Sequence, residues 1–158
     1  MQDMISTFLV CAFVIFSRQI AVKATCPDGF QNNRGQCYKV FYIPSTWIEA
    51  KMYCLVFGTD LAAIESAEEM SIMKGILTTA PDNSSFFIDG SDAMAENDWR
   101  WMKKDRMAIL MNYSNWAPGE PDNREGREHC MELLHKVNDN LWYDRPCEDR
   151  KWFICEVA

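Results

Sequence analysis

The stretch Trp116-Ala117-Pro118-Gly119-Glu120-Pro121-Asp122-Asn123 gathers two carboxylates and an amide around one proline. The pattern continues with Glu128-His129-Cys130 and with Leu141-Trp142-Tyr143-Asp144, which precedes Cys147. Oxygen clusters of this kind suit Ca²⁺, which takes about six to eight oxygen ligands from flexible loops. The sequence therefore predicts a calcium-dependent binding module.

The chain offers few of the residues that enzymes need. His129 and His135 are its two histidines, and no serine or free cysteine lies in a recognisable nucleophile context. The carboxylate pair Glu120 and Asp122 could in principle cleave glycosides. The pair is better explained as metal ligands, so we do not expect an enzyme.

Residues 1–24 are interpreted as a signal peptide. An apolar run from Ile5 to Phe16 is too short to span a bilayer, and Val22-Lys23-Ala24 offers small residues for cleavage. Asp3 before the run is unusual for a leader, and the alternative is an uncleaved amphipathic segment. The leader predicts a secreted, extracellular protein with one domain over 25–158.

Seven cysteines are an odd number for a secreted protein, but Cys11 lies within the leader. An even number behind a leader indicates disulfides formed in an oxidising compartment. Spacing alone leaves about fifteen pairings open, and no pair has the C-x₂-C spacing of a structural zinc site. The remaining cysteines are Cys26, Cys37, Cys54, Cys130, Cys147 and Cys155.

The predicted domain is strongly acidic. The whole chain carries −7, and removal of a leader with net +1 leaves −8. Such a charge argues against nucleic acid or an anionic membrane as the main partner and favours cations. Asn83 and Asn112 begin N-glycosylation triplets and are glycosylation candidates.

Two capping boxes predict two helices. Thr46 and Glu49 open the first helix, which is expected to end near Gly58, and Ser66 and Glu69 open the second. Apolar residues recur at helical spacing on one face of each helix, which predicts that these faces are buried. The predicted core residues are Trp47, Ala50, Cys54 and Phe57 in the first helix and Met70, Met73 and Leu77 along the second.

Short strands surround and follow the helices. The segment Asp89-Gly90-Ser91-Asp92 is predicted to be a turn, and the polar run from Asn112 to Arg127 a long functional loop. Helices followed by short strands and long loops indicate an α+β domain. The predicted strands include Tyr38–Ile43, Phe86–Ile88, Trp99–Trp101, Met131–Leu133 and Trp152–Cys155.

In this order the motifs resemble the C-type lectin domain, in particular secreted single-domain members from invertebrates. The resemblance covers essentially all of 25–158 and implies two helices flanking two small antiparallel sheets, with a long calcium-binding loop region. It also implies the disulfides Cys26–Cys37, Cys54–Cys155 and Cys130–Cys147, of which the first is typical of the long form. The motifs that carry it are Trp99-Arg100-Trp101, Asn115-Trp116, Glu120-Pro121-Asp122, Glu128-His129-Cys130, Trp142-Tyr143-Asp144 and Phe153-Ile154-Cys155-Glu156.

The resemblance implies where calcium and sugar bind. Glu120 and Asp122, on either side of a cis Pro121, would hold Ca²⁺ together with Glu128 and Asp144. The same four residues, with Tyr143 beside them, would contact the carbohydrate. Collectin-like members hold an auxiliary calcium ion at positions that match Asp92, Glu96 and Asn123, with Glu128 shared; the alternative is ordinary solvated acids in a turn.

Two departures from the family bear on specificity. The mannose-type motif is Glu-Pro-Asn and the galactose-type motif is Gln-Pro-Asp, whereas Glu120-Pro121-Asp122 is a hybrid. Two ionised carboxylates only accept hydrogen bonds, so both sugar hydroxyls must donate. Tyr143 stands where the family has Asn, which removes one amide oxygen from the expected ligands.

The resemblance implies a secreted lectin that binds glycans, including those of microbial surfaces, with a role in innate immunity. A lone shallow site binds weakly, so a homodimer is expected. The alternative keeps the fold but not calcium: proteins with this fold also bind proteins or mineral matrix, and the acidic charge suits such a surface.

Overall fold

The computed structural model describes residues 26–103, 108–136 and 139–157, so the predicted signal peptide lies outside the described residues. The described residues form an α+β fold of two helices and nine strands. The helices are α1 (Trp47–Val56) and α2 (Ala67–Ile76). The strands are β1 (Gln31–Asn33), β2 (Gln36–Ser45), β3 (Asp60–Leu61), β4 (Ser84–Ser91), β5 (Arg100–Trp101), β6 (Ile109–Leu110), β7 (Cys130–Lys136), β8 (Asp139–Arg145) and β9 (Lys151–Glu156).

The strands form two antiparallel sets joined at one place. Strands β1, β2 and β9 pair in that order near the chain ends, and β3 adds to β9. Strand β4 pairs with β5 and β7, β6 adds to β5, and β8 adds to β7. The two sets are joined by a short parallel pairing between β4 and β9, Phe86 with Trp152 and Phe87 with Phe153.

Three disulfides tie these elements together, with the pairing that the resemblance implies. Cys26–Cys37 closes the N-terminal hairpin. Cys54–Cys155 joins α1 to β9, and Cys130–Cys147 joins β7 to the segment after β8. The last bond fixes both ends of the hairpin that carries Asp144.

Helix α1 begins with the predicted capping box. The Thr46 hydroxyl accepts a hydrogen bond from the Glu49 N–H, and the Glu49 carboxylate accepts one from the Thr46 N–H. Trp47 is buried as predicted, and its Nε1 donates to the Ile88 carbonyl at 2.9 Å. The prediction was wrong for Phe57, which is 46% exposed because the helix ends one residue earlier and the helical period no longer applies.

The methionine stripe of α2 lies in the core as predicted. Met70, Met73 and Leu77 are all buried and pack with Phe86 and Ile88 of β4. Only half of the second capping box forms. The Ser66 hydroxyl accepts from the Glu69 N–H, but the Glu69 carboxylate accepts from the Glu65 N–H instead of from the Ser66 N–H.

The turn predicted from Asp89 to Asp92 was wrong in position. Asp89 to Ser91 continue β4, and the turn begins only after Asp92. Asp89 is fully buried, and it can remain in a strand because Lys51 of α1 pairs with it and with Asp60 at 2.6 Å. A buried carboxylate is tolerated when such a partner is present.

The end of β9 contains a carboxyl group with an altered pKa. Glu156 is 7% exposed, and its carboxylate accepts a hydrogen bond from the Ala63 N–H at 3.0 Å. Burial raises the pKa of Glu156 from 4.5 to about 7; Lys103, 3.7 Å away, opposes the shift, whereas Glu65 and Glu69 add to it. The group therefore favours folding most below pH 4.5, and this contribution is lost as the pH rises through 7.

We expect Glu156→Gln to remove that pH dependence. Near pH 4 the variant and the wild type should have similar free energies of unfolding, since glutamine resembles the protonated acid and keeps an acceptor for the Ala63 N–H. At pH 8 the variant should be more stable by roughly 3 kcal/mol. Urea denaturation at the two pH values measures this, with the exposed Glu68→Gln as control. If the two proteins differ in free energy of unfolding by the same amount at both pH values, the raised pKa of Glu156 is contradicted.

Candidate functional site

The long polar loop is anchored on β8 by main-chain bonds. The Ala117 N–H donates to the Trp142 carbonyl and the Trp142 N–H to the Asn115 carbonyl, each at 2.9 Å. Trp142 is fully buried, and its ring packs edge-on against Trp116 and Trp101. The aromatic core therefore fixes the loop next to the strand that carries Asp144.

Three carboxylates meet at this place. Glu120, Asp122 and Asp144 each offer an oxygen, and these oxygens lie within 4.8 Å of one another. The Glu120–Pro121 peptide bond is cis, as the resemblance implies. Asp144 is fully buried, and its two oxygens accept hydrogen bonds from the N–H groups of Asp122 at 3.1 Å and Asn123 at 2.7 Å. Asp144 thus holds the loop as well as contributing to the cluster.

Glu120 is the least satisfied member of the cluster. Its Oε2 is buried and has no hydrogen-bond partner. Burial, followed by the adjacent Asp144 and Asp122, raises the pKa of Glu120 to about 7. A buried carboxylate oxygen without a partner is costly. A bound cation would contact this oxygen and would also offset the repulsion among the three carboxylates. The three oxygens therefore fit a hard divalent cation.

Glu128 lies beside this cluster but is already engaged. Its Oε2 accepts from the Arg124 N–H at 2.9 Å, and its Oε1 is 3.8 Å from Nη1 of Arg145. Burial raises the pKa of Glu128, and the hydrogen bond from Arg124 opposes that shift. The structure therefore brings together three of the four expected calcium ligands and places the fourth against an arginine.

Tyr143 alternates with Asp144 along β8, so the two side chains leave opposite faces of the strand. The Arg145 guanidinium lies over the Tyr143 ring, with its Cζ 4.9 Å from the ring centroid. Arg145 also contacts Glu132 at 3.3 Å. Sequence reasoning missed Arg145, although its spacing of two from Tyr143 on a strand would have placed both on one face.

A second cluster contains two of the three residues expected to hold an auxiliary ion. Asp92, Glu96 and His129 offer ligand atoms within 4.8 Å of one another. His129 Nδ1 lies 3.0 Å from Asp92 Oδ1 and 3.7 Å from Glu96 Oε2. Sequence reasoning did not assign His129 to this cluster, although its position directly before Cys130 places it where β7 meets the end of β4.

Asn123 contacts this second cluster through its amide nitrogen. Its Nδ2 donates to Glu96 Oε2 at 2.5 Å, while its Oδ1 accepts from the Glu128 N–H at 3.0 Å. The main-chain donor at Glu128 therefore sets the orientation of the amide. Asn123 does not turn its oxygen toward Asp92 and Glu96.

Comparison with known proteins agrees with this architecture. The family model described as the Lectin C-type domain matches residues 43–157. Perlucin of Haliotis laevigata is 39% identical over 131 residues, which is 83% of this chain and 82% of perlucin. The C-type lectin BfL-2 of Bungarus fasciatus is 33% identical over 135 residues, 84% of this chain and 83% of that lectin.

A solved structure gives the same result. The carbohydrate-recognition domain of the human scavenger receptor C-type lectin superposes with a TM-score of 0.73 at 29% identity. The match covers 84% of this chain and 98% of that domain. No helix within 26–103, 108–136 or 139–157 has both the length and the apolar character needed to cross a membrane.

Proposed function

Because the chain belongs to the C-type lectin family, we propose that it is a secreted, calcium-dependent carbohydrate-binding protein that recognises mannose- or galactose-type sugars. Its relatives and the fold support a lectin that is not an enzyme, since the fold is generally non-catalytic. The sugar, the calcium dependence and the secretion are the proposed parts.

The observation that carries the proposal is the buried Glu120 Oε2 without a partner, inside a cluster with Asp122 and Asp144. Three neighbouring carboxylates repel one another unless protons or a cation intervene. Hard oxygen donors in a loop are the ligands that Ca²⁺ prefers. Glu120, Asp122 and Asp144 would hold the ion, with Glu128 available once it leaves Arg145. When bound, Ca²⁺ supplies coordination positions that sugar hydroxyl oxygens complete.

The protein groups around the ion would set which hydroxyls fit. Glu120 and Asp122 are both acceptors when ionised, so each selects a hydroxyl that donates its proton toward the protein. The amide that orients the sugar in the standard motifs is missing. Tyr143 leaves β8 on the face opposite Asp144, so its ring, which contacts Arg145, would not touch a sugar held at the Glu120 cluster. Both sugar hydroxyls would thus meet an acceptor, whereas the mannose-type and galactose-type motifs each present one amide that can donate and one carboxylate that accepts.

The direct test is retention on immobilised sugar. In millimolar Ca²⁺ the protein is expected to bind mannose or galactose resin and to elute with EDTA. Calorimetry with Ca²⁺ alone separates metal binding from sugar binding. A protein that binds neither Ca²⁺ nor either resin would contradict the proposal, and a glycan array with microbial glycans extends the test to the proposed immune role.

The alternative function, calcium-independent binding of protein or mineral matrix, is favoured by one observation. Two arginines already approach the carboxylates: Arg145 lies 3.8 Å from Glu128, and Arg124 lies 3.7 Å from Asp122. Such internal cations could replace a metal. Calorimetry decides between the two functions, because the alternative expects no heat of Ca²⁺ binding.

Two matched substitutions should shift the sugar preference in opposite directions. Glu120→Gln creates the galactose-type motif Gln-Pro-Asp, and Asp122→Asn creates the mannose-type motif Glu-Pro-Asn. Each substitution restores one hydrogen-bond donor. One reversed hydrogen bond of about 1.4 kcal/mol would change the ratio of the two sugar affinities roughly tenfold. Competition with free mannose and galactose measures the ratio. Glu125→Gln, an exposed acid of the same loop, is the control, and equal losses for both sugars in both variants would contradict the prediction.

Three further properties belong to the proposal. Removal of residues 1–24 would release a domain over 25–158 into the extracellular space. Asn83 and Asn112 are both exposed, which supports their use as glycosylation sites. A homodimer is supported by exposed apolar side chains on α1, where Ile48, Met52 and Val56 follow one another at helical spacing, and sedimentation velocity tests it.

A further inference from the structure

The cluster of Asp92, Glu96 and His129 does not match the auxiliary calcium ion that the resemblance implies. One of its three donor atoms is the imidazole Nδ1, and the other two are carboxylate oxygens. Ca²⁺ is bound in proteins by oxygen ligands, whereas imidazole suits Zn²⁺, Cu²⁺ and Ni²⁺. The chemistry of the donor set therefore favours a transition ion.

The orientation of the Asn123 amide is a second reason why the cluster does not fit an auxiliary calcium ion. Its amide oxygen accepts from the Glu128 N–H at 3.0 Å, and its amide nitrogen faces Glu96 Oε2 at 2.5 Å. An amide nitrogen is a donor and does not ligate a cation. The expected oxygen of Asn123 is thus absent from the cluster, and the shared ligand Glu128 is engaged by the Arg124 N–H and by Arg145. The two remaining side-chain oxygens fall well short of the about six to eight that Ca²⁺ takes.

The spacing of the donors suits a small ion. His129 Nδ1 lies 3.0 Å from Asp92 Oδ1 and 3.7 Å from Glu96 Oε2. Metal–ligand bonds of about 2.0–2.1 Å in a tetrahedral zinc site place neighbouring ligand atoms about 3.3 Å apart. The two observed distances lie on either side of that value, so small side-chain movements would complete the geometry.

Surrounding groups hold the Asp92 carboxylate and the main chain of His129 in place. The Asn97 N–H donates to Asp92 Oδ2 at 2.9 Å, which leaves Oδ1 toward His129, and Asp92 is 2% exposed. The Ser91 hydroxyl donates to the His129 carbonyl at 2.7 Å, which fixes the backbone of His129 beside β4. Outer hydrogen bonds of this kind orient metal ligands in protein sites.

We propose that Asp92, Glu96 and His129 bind a divalent transition ion of the zinc class, in place of an auxiliary calcium ion. The neutral imidazole would ligate through Nδ1, whose proton moves to Nε2. Glu96 and His129 are partly exposed, so solvent would occupy the fourth position. The site uses none of the three residues that form the Glu120 cluster.

Titration with Zn²⁺ in the presence of millimolar Ca²⁺ tests the proposal. We expect one Zn²⁺ to bind, and His129→Ala to lower its affinity by at least about 10–100-fold, since even outer-shell partners of a metal have effects of that size. His129→Asp should instead restore an oxygen donor and raise the Ca²⁺ affinity of this site. Glu120→Gln should weaken Ca²⁺ binding at the other cluster and leave the affinity for Zn²⁺ unchanged.

Imidazole NMR of the wild-type protein gives a readout that needs no variant. The chain has two histidines, so ¹⁵N shifts of the rings are simple to follow. Zn²⁺ is expected to shift Nδ1 of His129, and Ca²⁺ is not. Unchanged imidazole shifts, or Zn²⁺ affinity that survives in His129→Ala, would overturn the proposal. If the wild-type protein binds Zn²⁺ but not Ca²⁺, the proposed lectin function is contradicted and the proposed zinc site is not.

Discussion

Asp144→Asn is expected to lower the calcium affinity of the protein by on the order of 100-fold, since calcium affinity varies over decades with the charge of the ligands. Asp144 is the fully buried member of the three-carboxylate cluster. The substitution removes one negative charge from beside Glu120 and Asp122. Sugar retention in millimolar Ca²⁺ should be lost together with the metal.

The same substitution also tests how the loop is held. Both oxygens of Asp144 accept main-chain N–H groups, from Asp122 and from Asn123. Asparagine has one acceptor oxygen and would turn an NH₂ group toward the second donor. One partly buried N–H is then unpaired, which should lower the free energy of unfolding by about 1 kcal/mol, the low end of the cost of an unsatisfied group.

Two measurements separate these effects. Calorimetry gives the Ca²⁺ affinity, and urea denaturation in EDTA gives the stability without metal. Glu125→Gln is the matched control, because Glu125 is an exposed acid of the same loop paired with Arg127. A Ca²⁺ affinity of Asp144→Asn close to that of the wild type would contradict the assignment of Asp144 as a ligand.

The parts of the fold that depend on neighbouring residues could be predicted from the sequence. The Thr46–Glu49 capping box and the Met70, Met73 and Leu77 stripe depend on contacts within three or four positions. The grouping of Glu120 with Asp122 is local for the same reason. Asp144 could be added only through the resemblance, because it joins them from another strand.

The errors at Asp89, His129 and Arg145 arise where a distant residue changes the outcome. Asp89 was expected in a turn because Asp-Gly pairs mark turns, but Lys51, 38 positions away, provides its buried partner. His129 joins Asp92 across the pairing of β4 with β7, which no local pattern predicts. Arg145 approaches Glu128 in the same way. Periodicity and turn chemistry concern neighbouring positions, so they do not predict charge pairs between distant residues.

The disulfide with the largest expected effect on stability is Cys54–Cys155, whose cysteines are 101 positions apart. In the chain-entropy description, a cross-link stabilises by restricting the unfolded chain, and the effect grows with loop length. Replacing both cysteines by alanine should lower the free energy of unfolding by about 4–5 kcal/mol. Both cysteines are fully buried between α1 and β9, so lost packing adds to this value.

The bond Cys26–Cys37 provides the internal comparison, since its cysteines are only 11 positions apart. The same substitution there should lower the free energy of unfolding by about 3 kcal/mol, which leaves a gap of at least roughly 2 kcal/mol between the two double variants. Urea denaturation of both variants at the same pH and in EDTA measures that gap. Equal losses would mean that local packing, and not the length of chain enclosed by each bond, determines what the disulfides contribute to this fold.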